Sequence, residues 1–82
     1  MIRLRKPLLR FARHQEEVLR QNDFKTGWKH SERLSLLNRV FQEWLELRDE
    51  MMKGSQGSNE KIIKECCDVA NFAMMIADNH EE

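Results

Sequence analysis

Four acidic residues form two pairs with the same spacing, Glu43 with Glu46 and Glu65 with Asp68. Side chains three residues apart share one face of a helix, so each pair can present two carboxylates together. Glu65 projects onto the apolar side of its predicted helix, near Phe72, where an unneutralised carboxylate is costly to bury. Hard divalent cations such as Mg²⁺ and Mn²⁺ prefer oxygen ligands. The two pairs therefore indicate a divalent-metal site.

Each pair also has a structural alternative. The first pair, together with Glu50, projects almost opposite the centre of the apolar stripe on its helix, and a solvated face explains that at least as well. The second pair has apolar surroundings, which favour a functional role. A buried salt bridge to Arg39 or Lys64 is the structural alternative for this second pair.

Three helices account for nearly the whole chain and must position these pairs. Their predicted bounds are about Pro7–Gln21, 32–53 and 60–78. Ser31 is the expected N-cap of the second helix, and Ser58 or Asn59 that of the third. Gly54 stands where a glycine ends a helix, and the connection after it can fold the second and third helices antiparallel. That fold would bring the two acidic pairs together.

The third predicted helix is apolar around most of its circumference. Two other helices of so short a chain can hardly enclose such a helix. We therefore expect a second copy to pack against it, most simply as a two-fold dimer. The predicted fold class is all-α, a three-helix chain that forms a helical bundle by oligomerisation.

Composition limits the function classes. The chain has 82 residues, with 40% hydrophobic and 34% charged, which predicts one globular domain overall. Within it, residues 1–24 form a basic N-terminal helix and residues 25–82 a metal-binding helical core. The basic residues of the first helix are better explained by a solvated face than by nucleic-acid binding, since Phe11 is the one aromatic residue among them.

The remaining sequence signals concern location and cysteine chemistry. Cys66 and Cys67 are neighbours on a helix and point in different directions, which suits neither a disulfide between them nor a zinc site. No segment has the apolar length of a membrane span, and the N-terminus lacks a secretory-signal pattern. The expectation is a cytoplasmic protein without a membrane partner.

Three segments carry a resemblance to a known family: GWK at 27–29, QEWLEL at 42–47 and KECCDVANFAMMIADN at 64–79. In these segments the chain resembles the MazG-like all-α nucleoside triphosphate pyrophosphohydrolases. The similarity covers roughly residues 25–79 and is strongest in the third helix. The resemblance implies a helical bundle that assembles as a homodimer or homotetramer. It also implies cleavage of a nucleoside triphosphate, NTP or dNTP, into a monophosphate and pyrophosphate with Mg²⁺, or Mn²⁺ as the alternative ion.

The resemblance also implies roles for individual residues. The metal ligands would be Glu43, Glu46, Glu65 and Asp68. Glu46, or else Glu43, would orient or deprotonate the attacking water. The substrate would be contacted by Asn71, by Lys25 and Lys29, and by Trp28 stacking on the base. For Trp28, the alternative is an anchor between its loop and the core.

Other function classes compete with this enzyme hypothesis. One is a non-catalytic helical interaction module, and another is a degenerate relative that binds nucleotide without cleaving it. Turnover of triphosphates, or its absence, discriminates between them.

Overall fold

The computed structural model describes residues 1–22 and 27–81 of the chain. Its three helices are α1 (Lys6–Gln21), α2 (Arg33–Met52) and α3 (Asn59–His80). Two short 3₁₀ turns, Trp28–His30 and Gly54–Gln56, precede α2 and α3. The described residues contain no strand, so the all-α prediction is confirmed for this part of the chain.

The helix ends follow local chemistry, and one of the predicted caps is wrong. Ser58 caps α3 as predicted, with its hydroxyl oxygen accepting from the Lys61 amide at 3.2 Å. The N-cap of α2 is Glu32 rather than Ser31, and its carboxylate accepts from the Ser35 amide at 3.1 Å. Ser31 instead closes the preceding turn, because its amide donates to the Trp28 carbonyl. The helix therefore begins one residue later than the sequence signal suggested.

Helices α2 and α3 pack antiparallel, as the short connection between them predicted. Glu50, near the end of α2, accepts a hydrogen bond from the amide of Ser58 at 2.9 Å. Earlier on α2, the guanidinium of Arg39 lies 4.9 Å from the ring centre of Phe72, far along α3. The end of α2 therefore lies beside the start of α3, and an earlier part of α2 lies beside a later part of α3. Gly54 at the connection has a φ of 58°, which fits its predicted role as the residue that ends α2.

The face of α2 that packs on α3 is the acidic one. Glu43 and Glu50 are only 6% and 5% exposed, so the solvated-face interpretation is wrong for both. The reason is that each carboxylate has partners inside the chain: Arg39 for Glu43, and Lys53 with the Ser58 amide for Glu50. Glu46 is exposed, as that interpretation predicted.

The apolar side of α2 consequently faces outwards. Among the described residues, the buried hydrophobic side chains are only Leu36 and Cys67. The sequence predicted that the circumference of α3 would need a second copy to cover it. In the structure α3 already contacts α1, α2 and the turn before α2, and the larger exposed apolar area lies on α2 instead. Within the described residues, no helix is long and apolar enough to cross a membrane.

Candidate metal centre

Three carboxylates meet where the middle of α2 packs against the first half of α3. One oxygen each from Glu43, Glu46 and Glu65 lie within 4.8 Å of one another. Glu43 and Glu46 are neighbours on one face of α2, and the antiparallel packing of α3 brings Glu65 against them. Three of the four acidic residues predicted from the sequence are therefore brought together.

Glu65 supplies the feature of this cluster that points most directly to a ligand. Its side chain is 8% exposed, and its Oε2 atom is buried with no hydrogen-bond partner among the described residues. A buried carboxylate oxygen without a partner loses hydration and gains nothing in return. A cation placed among the three carboxylates would supply the missing interaction, so the donor set fits a hard divalent ion.

The cluster is electrostatically unfavourable when all three groups are ionised. Burial and the neighbouring Glu46 raise the pKa of Glu43 to about 7. A hydrogen bond from the protonated Glu43 lowers the pKa of Glu46. Burial raises the pKa of Glu65, the positive charge of Lys64 lowers it, and the repulsion of Glu46 raises it, so that the pKa is raised overall. The cluster therefore binds a proton more readily than free glutamates do, and a divalent cation could replace that proton.

Asp68, the fourth predicted ligand, is oriented differently. Its carboxylate pairs with Lys64 one turn earlier on α3, at 2.8 Å, and it lies outside the three-oxygen group. Its negative charge still contributes to the raised pKa of Glu43, so it is within electrostatic reach. The salt bridge foreseen as an alternative is therefore present for Asp68, whereas Glu65 makes none with Arg39 or Lys64.

A cavity of about 600 Å³ opens beside the carboxylates. Its polar wall includes Glu43, Glu46 and Asp68. All three helices contribute to its apolar wall, which consists of Val18, Leu19, Leu36, Phe72 and Met75. A pocket of this size, with one acidic wall and one apolar wall, is large enough to hold a small-molecule ligand.

Two basic side chains line the cavity, Arg39 and Lys64, and neither was identified from the sequence as a substrate contact. Arg39 donates to Glu43 at 3.0 Å, and Lys64 donates to Asp68 at 2.8 Å, each across one helical turn. Both side chains remain about half exposed and line the cavity. In each case the basic residue stands four positions before the acidic one, a spacing that was visible in the sequence, but Arg39 and Lys64 were considered only as salt-bridge partners of Glu65 and Asp68.

The predicted substrate contacts occupy different positions. Asn71 lines the cavity, but its amide exchanges two hydrogen bonds with Gln15 of α1, at 3.0 and 3.3 Å. Trp28 also lines the cavity, and its indole donates to Asp78 at 2.9 Å, which is the anchoring role given as its alternative. Lys29 pairs with the same carboxylate at 2.7 Å. Lys25 lies outside the described residues.

No protein family, no curated protein and no solved structure matches this chain. The resemblance to the MazG-like enzymes therefore stays a prediction from the motifs alone.

Proposed function

We propose that the chain is an Mg²⁺-dependent nucleoside triphosphate pyrophosphohydrolase of the MazG-like type. The observation that carries the proposal is the buried, unpartnered Oε2 of Glu65 in a cluster with Glu43 and Glu46. A bound divalent ion neutralises phosphate charge and makes water more acidic, which is the chemistry that triphosphate hydrolysis requires.

In this proposal Glu43, Glu46 and Glu65 would hold the ion, and Asp68 would be the fourth ligand. The sequence pattern and the position of Asp68 on the cavity wall support that role.

The surrounding side chains would divide the substrate between them. Arg39 and Lys64 stand at the charged end of the cavity, where they would contact phosphate oxygens. Phe72 and Trp28 supply the aromatic surface on the apolar wall for the base. Glu46 is the exposed carboxylate of the cluster, so it would accept a proton from the attacking water while the bond between the α and β phosphates breaks.

A panel of canonical and modified triphosphates, each with and without Mg²⁺, tests this function. The proposal predicts pyrophosphate release that requires Mg²⁺ and falls at least 100-fold in Glu65→Gln, as expected when a group central to charge stabilisation is neutralised. Glu60→Gln is the matched control, because Glu60 lies exposed at the start of the same helix. Equal rates in both variants would contradict the proposal.

The second candidate is a helical interaction module without turnover, and the exposed apolar side of α2 favours it. This module would release no pyrophosphate from any triphosphate. Its thermal stability would also be unchanged by Mg²⁺ and nucleotide, whereas a nucleotide-binding relative that does not cleave would be stabilised by them.

A further inference from the structure

Residues 1–13, which we call the basic arm, combine positive charge with exposed apolar side chains. The arm contains five basic residues and no acidic residue. The basic residues are Arg3, Arg5, Lys6, Arg10 and Arg13. Five large apolar side chains of the arm are each at least 40% exposed, namely Met1, Ile2, Leu4, Leu8 and Leu9. A solvated face explains the basic residues, but it leaves these exposed apolar side chains without an explanation.

The first ten residues of the basic arm are not used in packing the described part of the chain. Each of them is exposed. The partly buried residues of α1 are Phe11, Gln15, Val18 and Leu19. Through Gln15 this face of α1 is hydrogen-bonded to Asn71 of α3. The contact face of α1 therefore begins where the exposed run ends, and residues 1–10 are left open to a partner outside the described chain.

The positive charge of the basic arm is not neutralised within the described part of the chain. None of its five basic side chains forms an ion pair there, whereas seven of the other basic residues do. Because the whole chain has no net charge, the residues that follow the arm carry an equal excess of negative charge. A negatively charged surface would therefore attract the arm and repel the remainder, which orients the chain with the arm towards that surface.

An anionic lipid membrane is the partner that fits both the charge and the apolar side chains. Basic residues are attracted to a negatively charged leaflet, and apolar side chains beside them enter the boundary between the headgroups and the acyl chains. Arginine suits this position because its stem lies along apolar surface while its guanidinium stays in water. A nucleic acid would satisfy the charge, but its phosphates make no use of Ile2, Leu4 or Leu8. The arm also offers only Phe11 for stacking on bases.

We propose that the basic arm is a peripheral membrane-binding surface that recognises anionic lipids. Its basic side chains contact the lipid headgroups, and the apolar side chains next to them leave water at the membrane surface. Such a contact requires no membrane-spanning helix, and the lack of a spanning segment was the basis for expecting no membrane partner. The proposal does not rest on metal binding or catalysis.

Sedimentation of the purified full chain with lipid vesicles tests the proposal. Vesicles of phosphatidylcholine alone are compared with vesicles of phosphatidylcholine and phosphatidylserine in equal parts, in EDTA so that no divalent ion bridges protein and lipid. We expect the wild type to bind the mixed vesicles, less tightly as salt is added, and not to bind the vesicles of phosphatidylcholine alone. Binding that is equally tight to both kinds of vesicle would overturn the proposal.

Removal of positive charge should weaken binding only when the charge lies in the basic arm. Arg3→Gln combined with Arg5→Gln should weaken binding to the mixed vesicles by about 10-fold or more, since each basic residue near an anionic membrane adds to the attraction. Arg20→Gln combined with Arg48→Gln is the matched control, because it removes the same charge at two exposed positions outside the arm. Equal losses in the two double variants would overturn the proposal, because net charge alone would then account for the binding.

Ile2→Ser combined with Leu4→Ser distinguishes a membrane from a nucleic acid, because this double variant keeps every charge. We expect it to weaken binding to the mixed vesicles by about 10-fold or more, since two aliphatic side chains no longer leave water. Unchanged vesicle binding, or tighter binding of the wild type to a short DNA duplex than to the mixed vesicles, would overturn the proposal. All the substituted positions are exposed, and circular dichroism checks that the variants are folded. None of these measurements depends on whether the protein hydrolyses triphosphates.

Discussion

At the scale of single residues, the candidate site is a set of like charges that the fold holds together at a cost. Glu43 and Glu65 are buried side by side with Glu46, and burial raises the pKa of both. Carboxylates that serve only as surface charge are normally exposed and keep their ordinary pKa, whereas groups with strongly shifted pKa values cluster at functional sites. The raised pKa of Glu43 means that this carboxylate holds a proton more readily than a free glutamate, at the position where the proposed cation would bind.

Replacing Glu43 with glutamine should stabilise the metal-free protein at alkaline pH. The pKa of Glu43 is raised from 4.5 to about 7, so folding favours its protonated form. The stability gained from that proton is fully present below about pH 4.5 and is lost as the pH rises through 7. Glutamine cannot ionise, so the variant should exceed the wild type in Tm by roughly 4–8 °C for each kcal/mol regained.

Thermal unfolding without metal, at about pH 5 and about pH 8, measures this difference. The gain in Tm from Glu43→Gln should be larger at the higher pH. Glu16→Gln, at an exposed position of α1, is the control and should show no such pH dependence. A gain that is equal at both pH values would mean that Glu43 is not protonated preferentially in the folded state.

At the scale of helices, the periodicity of the sequence was sufficient for the three elements and their antiparallel order. It was not sufficient for the orientation of α2. An amphipathic helix normally turns its apolar stripe inwards, but here the inward face is set by polar contacts such as the one between Glu50 and the Ser58 amide. A periodicity pattern contains no information on contacts between residues of different helices.

The sequence predicted the acidic cluster of the candidate site but not the hydrogen-bond partners of the residues around it. Glu43, Glu46 and Glu65 were identifiable because their spacing and the antiparallel fold together determine that they meet. The partners of Asn71 and Trp28 were not, since Gln15 and Asp78 lie far away in the sequence and carry no motif that links them.

The connection between α2 and α3 should tolerate no side chain at residue 57. A Cβ atom added to Gly57 would lie 2.9 Å from the Glu50 carbonyl oxygen and 3.3 Å from its carboxylate. We expect Gly57→Ala to destabilise the protein by about 1–3 kcal/mol, the typical range for overpacking. Gly27→Ala is the control, because nothing lies within 4 Å of its added Cβ. Chemical denaturation measures both, and equal stability of the two variants would show that the connection can adjust.

Docking of α1 on α3 should depend on the hydrogen bonds between Gln15 and Asn71. Gln15→Ala would leave the nearly buried Asn71 amide without its side-chain partner, an effect of about 1–3 kcal/mol. Faster amide hydrogen exchange throughout α1, with α2 unaffected, is the expected result. Gln21→Ala, at an exposed site on the same helix, should leave the exchange of α1 unchanged, and similar exchange in both variants would refute this role.

At the scale of the whole molecule, the two sides of α2 have different roles. The acidic side faces α3 and borders the cavity, and the apolar side is exposed. If the proposed cation binds the folded chain and not the unfolded chain, it stabilises the fold by an amount that rises with its concentration. We therefore predict that the Tm rises with the concentration of Mg²⁺.

Electron paramagnetic resonance of free Mn²⁺, titrated with the purified protein, tests whether the three carboxylates bind a divalent ion. We expect the wild type and the exposed-site variant Glu60→Gln to bind at least one ion per chain, and Glu65→Gln to lose this binding. A wild type that leaves the free-ion signal unchanged at millimolar Mn²⁺, or a Glu65→Gln variant that binds the ion as tightly as Glu60→Gln, would show that these carboxylates do not form a metal site.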